Sequence, residues 1–126
     1  MPPAAPSPAP LRRLLRAGFV LALGAVFVLA LLPAPDLGKI VSWQDKIEHA
    51  LLFFVLALWG LKAWPRRTVA VALGLLGYGV AMELAQALTT YRQGDVWDAL
   101  ADALGVAAAV ASAHCRRAGR GAHGRA

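Results

Sequence analysis

Hydrophobic positions gather into four long runs along the chain, Ala17–Leu32, Ile47–Trp64, Thr68–Leu88 and Val96–Ala113, separated by short polar breaks. The runs are 16 to 21 residues long, close to the ~20 residues a helix needs to cross the hydrocarbon core of a bilayer. Pro33-Ala34-Pro35 closes the first run, Pro65-Arg66-Arg67 follows the second, and Thr89–Gly94 separates the third from the fourth. The pattern predicts an all-α membrane protein, a four-transmembrane-helix bundle. The fourth run is the weakest, because Asp98 and Asp102 interrupt it and only Ala103–Ala113 is continuously apolar. A basic stretch before an apolar run also fits a signal peptide, but no small-x-small site follows and Pro35 suits a cleavage poorly. An uncleaved first helix is therefore expected.

Outside the runs, residues 1–10 hold five of the eight prolines, a composition that buries no core and predicts a disordered tail. Residues 11–113 form the expected membrane domain. Residues 114–126 carry Arg116, Arg117, Arg120 and Arg125 among glycines and read as a flexible basic tail, drawn to anionic lipid headgroups through Arg116, Arg117 and Arg120.

Composition supports this division. The chain is 59% hydrophobic and 16% charged, against about 45–50% and 25% in soluble domains. Its net charge of +6 invites a nucleic-acid reading, but the placement of charge removes it. Arg12, Arg13 and Arg16, then Lys62, Arg66 and Arg67, then the four tail arginines lie at alternate ends of four helices. Basic flanks mark the cytoplasmic side, so both termini are expected in the cytoplasm, with no nucleic-acid partner. Lys39, Lys46, Arg92 and all seven acids fall on the other side, with Trp43, Tyr91 and Trp97 at that boundary and Trp64 at the basic one.

Three runs carry polar residues at helical spacing. Asp45, Glu48 and His49 are spaced i, i+3, i+4; Glu83 and Gln86 are spaced i, i+3; Asp95, Asp98 and Asp102 are spaced i, i+3, i+7. Each set shares one helix face. An ionisable group facing lipid costs about 2.5–3.5 kcal/mol on insertion scales, so such faces turn inward. The expected result is an outward-opening polar cavity lined by Asp45, His49, Glu83, Gln86, Arg92, Asp98 and Asp102. Plainer roles compete. Asp45 and Asp95 sit where acids cap helix starts, Arg92 suits an ion pair with Glu83 or Asp98, and His49 suits a hydrogen-bonded core position. A purely structural polar core remains an alternative for the whole set. Glu83 lies too far from any helix start for capping. Small residues, Gly74, Gly77 and Gly79 in the third run and Ala101, Gly105, Ala109 and Ala113 in the fourth, predict close helix contacts. Cys115 is the sole cysteine, and with the lone tail histidines it makes no convincing metal site; no metal is assigned, and the sequence leaves any cofactor open.

Asp45-Lys46-Ile47-Glu48-His49, Tyr78-Gly79, Glu83-x-x-Gln86, Arg92, and Asp98-x-x-x-Asp102-x-x-Gly105 together resemble the VanZ-like family of small bacterial membrane proteins, over about Trp43 to Val110. The family usually carries asparagine where Asp102 stands. The resemblance implies a multi-pass protein of the bacterial cytoplasmic (inner) membrane and a link to resistance to the glycopeptide teicoplanin, without fixing a biochemical activity. The function expected is engagement, at the outer leaflet, of a glycopeptide-related or lipid-linked envelope molecule. The alternatives are an acid–base or metal-assisted membrane enzyme, since carboxylates with one histidine suit a divalent cation, and a small transporter.

Overall fold

The computed structural model describes residues 8–33, 43–91 and 94–124. Four α-helices follow one another: α1 Ala9–Leu31, α2 Gln44–Ala63, α3 Thr68–Ala87 and α4 Val96–His123. They run alternately up and down. Arg16 near the start of α1 donates from Nε to the Ala63 carbonyl at the end of α2 (3.1 Å), and Arg117 late in α4 donates to Pro65 O just past α2 (2.9 Å). At the other end, Lys46 at the start of α2 meets Asp98 at the start of α4. Among the described residues, arginines thus gather at one end of the bundle, and Lys46 with the cluster of carboxylates lies at the other.

Three helices, α1, α3 and α4, are long and apolar enough to cross a membrane. The four-span expectation meets its exception in α2, where every 18-residue window holds at least three of Asp45, Lys46, Glu48 and Lys62. Two helix limits also differ from the sequence reading. The first helix begins inside the expected 1–10 tail, with Pro10 in the first turn, where a missing N–H costs no intrahelical bond. The fourth runs past Ala113 to His123, so residues 114–123, expected as flexible tail, are helical. Alanine and arginine favour that continuation, and Arg120 and His123 in the last turn complement the negative end of the helix.

Burial explains how the helices associate. The second helix packs against all three others, and among the described residues α1 and α4 lie on different sides of it without touching. The core gathers Phe19 of α1, Phe53, Leu56 and Ala57 of α2, Leu75 and Met82 of α3, and Val106 and Ala109 of α4. Helices α2 and α4 approach most closely at Gly105, where an added Cβ would fall on the Ala50 carbonyl and crowd Phe54 N. Of the small residues noted in the sequence, Ala101, Gly105, Ala109 and Gly79 are buried in contacts. Gly74 and Gly77 instead face open space.

Only Phe19 of α1 is buried. That helix is tied on by side chains that reach its carbonyls: Trp59 Nε1 to Leu15 O (3.0 Å), Tyr78 Oη to Leu23 O (2.7 Å), Gln86 Nε2 to Ala30 O (3.0 Å) and Tyr91 Oη to Leu31 O (2.7 Å). The last two serve end-of-helix carbonyls that lack intrahelical donors. Leu14, Leu21 and Leu29 of α1, Leu51 and Val55 of α2, Leu73 and Leu84 of α3, and Leu104 of α4 stay exposed. An apolar girth of this extent, on helices of spanning length, is the composition of a multi-pass membrane protein.

Candidate functional site

The acidic end of the bundle is built from the first turns of α2 and α4 and the last turns of α3. Helix spacing dictates which side chains meet there. Lys46 and His49 are three residues apart and share the face of α2 that looks at α4; Asp98 and Asp102 are four apart on the facing side of α4. Lys46 Nζ bridges Asp95 Oδ2 (3.0 Å) and Asp98 Oδ1 (3.2 Å). One turn deeper, His49 Nδ1 lies 2.8 Å from Asp102 Oδ1, and Nε2 lies 3.8 Å from Asp98 Oδ2.

Glu83 comes to this group from α3. Its Oε2 accepts the backbone N–H of Asp95 (2.9 Å), so its carboxyl group sits beside the positive end of α4. Asp95 caps the same helix, accepting from the Trp97 N–H through Oδ1 (2.9 Å). That bond and the one from Lys46 hold the Asp95 carboxyl below the usual carboxylate range. The capping role expected for Asp95 is therefore met, and the same residue also takes part in the cluster.

Accessibility falls steadily with depth. Side-chain exposure is 40% at Asp95 and 35% at Lys46, 20% at His49 and 15% at Asp98, and 1% at Asp102; Glu83 is 8% exposed. The result is a polar funnel that narrows inward to two carboxyl groups. Glu83 Oε1 and Asp102 Oδ2 are buried at its base without a hydrogen-bond partner. Oδ2 of Asp102 rests against Gly79, where an added Cβ would lie 2.9 Å away. The two apolar grooves of about 560 and 310 Å³, lined by residues such as Ala107 with Arg117 and Leu75 with Arg67, include none of these cluster residues.

His49, Glu83, Asp98 and Asp102, noted in the sequence, come together. Asp45 sits half-buried in the first turn of α2. Gln86 is placed differently from the cavity-lining expectation: it is buried and spends its Nε2 donor on α1, because the step from Glu83 to Gln86 turns it toward the Ala30 carbonyl. Arg92 lies outside the described residues. Lys46, quoted in the sequence as part of the Asp45–His49 motif but not among the expected cavity residues, joins the cluster through Asp95 and Asp98. The available signal was its i, i+3 spacing to His49, which places both on one face of α2.

Compared with family models, curated proteins and solved structures, the chain matches none. The likeness to the VanZ-like family therefore rests on the residues quoted for it.

Proposed function

We propose that this chain is a VanZ-like integral membrane protein of the bacterial cytoplasmic membrane. In this reading all four helices cross the bilayer, both termini lie in the cytoplasm, and the funnel opens at the outer face. It engages a lipid-linked or glycopeptide-related envelope molecule there. The graded burial from Asp95 and Lys46 to Glu83 and Asp102 carries the reading. Ionisable groups so deep in a membrane bundle are costly to maintain and face a working site or a wet cavity. In this reading a phosphate or carboxylate of the ligand takes the place of one of the two carboxylates that Lys46 bridges at the lip, while Asp98 and His49 form the wall that a bound group meets next.

Polar side chains that fix helix packing explain some of the same contacts, and Asp95 at the α4 cap is the clearest case. Packing alone leaves unexplained why two buried carboxyl oxygens have no donor. The test is expression in a glycopeptide-sensitive bacterial host, with susceptibility to teicoplanin as readout. Wild type is expected to change susceptibility; Asp98→Ala and Lys46→Ala, at equal membrane abundance, are expected to abolish the change. A wild-type effect that both variants retain removes the cluster from the function. A second reading, acid–base chemistry on the same molecule, draws on the 2.8 Å approach of His49 to Asp102, a geometry suited to proton transfer.

A further inference from the structure

We propose that His49, Glu83 and Asp102 hold a divalent transition-metal ion of the zinc or manganese class at the base of the funnel. One ligating atom from each of these residues lies within 4.8 Å of those of the other two. Three helices supply them, so the trio is defined by the packed bundle and by no local motif.

Two further observations point to a ligand. Glu83 Oε1 and Asp102 Oδ2 are fully enclosed and accept no hydrogen bond, although Glu83 is 8% exposed and Asp102 1%. A buried acceptor left without a donor costs about 1–3 kcal/mol, and more if charged, and a positive partner between two carboxyl groups whose ligating atoms come within 4.8 Å would relieve both. Charge balance gives the same direction. The lysine of the cluster is committed to Asp95 and Asp98 at the lip. Among the described residues no lysine or arginine reaches Glu83 or Asp102, and only the His49 imidazole stands beside Asp102.

The donor set selects the ion. Carboxylates alone would suit magnesium or calcium, whereas an imidazole beside two carboxylates favours zinc or manganese. A tetrahedral ion with ligand distances of about 2.1 Å places its ligands about 3.4 Å apart. Closing the trio on such an ion therefore takes side-chain adjustments on the order of an ångström. Three protein donors leave a coordination position for water or a ligand atom, and the half-buried His49 and Asp98 lie on the path to it. This inference rests on the cluster being the working site of the proposed function. Ion binding by purified protein and antibiotic susceptibility of cells nevertheless fail separately.

The experiment is calorimetric titration of the untagged full chain, purified in detergent and stripped with chelator, with Zn²⁺, Mn²⁺ and Mg²⁺. One Zn²⁺ or Mn²⁺ ion per chain is expected, bound more tightly than Mg²⁺. Asp102→Asn and His49→Gln should each weaken binding by at least about tenfold, the scale at which even supporting residues of metal sites act. The triple variant His114→Ala, Cys115→Ser, His123→Ala should bind as wild type does. Absence of saturable binding, binding lost in the triple variant, or binding unchanged in both cluster variants would overturn the proposal. Helicity by circular dichroism establishes that the variants fold. If they do not, the visible spectrum of Co²⁺ in the wild-type protein decides. Bands of a four- or five-coordinate ion without a thiolate charge-transfer feature support the site, and a purely hydrated or thiolate-bound ion overturns it.

Discussion

Asp102 shows how one residue's role follows from what surrounds it. One oxygen meets His49 Nδ1 and the other is enclosed beside Gly79 without a donor. Asp102→Asn keeps the shape and supplies an N–H that can serve the imidazole. We expect the unfolding free energy of this variant to stay within about 1 kcal/mol of wild type. His49→Ala instead removes the partner and leaves the carboxyl buried alone, with an expected loss of about 1–3 kcal/mol. Denaturant unfolding in one detergent, followed by circular dichroism, compares them.

Asp95 gives a pH dependence whose sign is fixed. Its folded carboxyl titrates below the unfolded value because of the Trp97 N–H and Lys46. A depressed folded value means that its contribution is present above the ordinary carboxylate range and is lost as pH falls through the folded value. Amide protection at Trp97 and Asp98, measured by hydrogen exchange and corrected for intrinsic rate, should therefore drop as the solution is acidified below that range. Asp95→Asn, which retains a capping oxygen, should flatten the profile while keeping protection at neutral pH.

At the scale of elements, the closest helix contact is also the least forgiving. A Cβ at Gly105 would meet the Ala50 carbonyl and Phe54 N, both backbone atoms that cannot rotate away. Gly105→Ala must push α2 and α4 apart, and a loss of about 1–3 kcal/mol is expected from overpacking. Gly74→Ala and Gly77→Ala meet nothing within 4 Å, so the helix preference of alanine should make them neutral or stabilising by up to about 1 kcal/mol. Thermal unfolding of the three variants side by side checks this ordering. All three glycines look alike in sequence; only the neighbouring helix separates them. Helix α1 makes the complementary point. Its attachment through Trp59, Tyr78, Gln86 and Tyr91 to its own carbonyls involves donors on other elements, and no property of residues 9–31 announces it.

For the whole molecule, charge is divided along the bundle axis. The described basic residues Arg16, Lys62, Arg66, Arg67 and Arg117 lie at one end, and the cluster around Lys46, Asp98 and Glu83 lies at the other. In the orientation proposed above, which follows the basic-inside rule, the two ends face opposite compartments. In spheroplasts, a membrane-impermeant thiol reagent should label Trp97→Cys, made in a Cys115→Ser background, without lysis. Native Cys115, which is exposed, should be labelled only after lysis. The reverse pattern would invert the orientation.

The sequence by itself determined that the chain forms four helices, the bounds of α2 and α3 to within a few residues, and which polar residues share a helix face; the start of α1 and the end of α4 lie eight and ten residues beyond the apolar runs, and α2 is not among the three helices apolar enough to span. Those properties depend on runs and spacings along one chain, and backbone hydrogen bonding makes them local. It left Lys46 outside the site and placed Gln86 inside the cavity, because neither helix rotation nor register against a neighbour is written in a single segment. Tertiary structure decided that His49 reaches Asp102 while Gln86 turns to α1, and that Glu83 serves the first turn of α4. It also enclosed one carboxyl oxygen of Glu83 and one of Asp102 without a donor. Such meetings join residues far apart in sequence, and the packing of α2 against α4 at Gly105 sets the distances at which they occur.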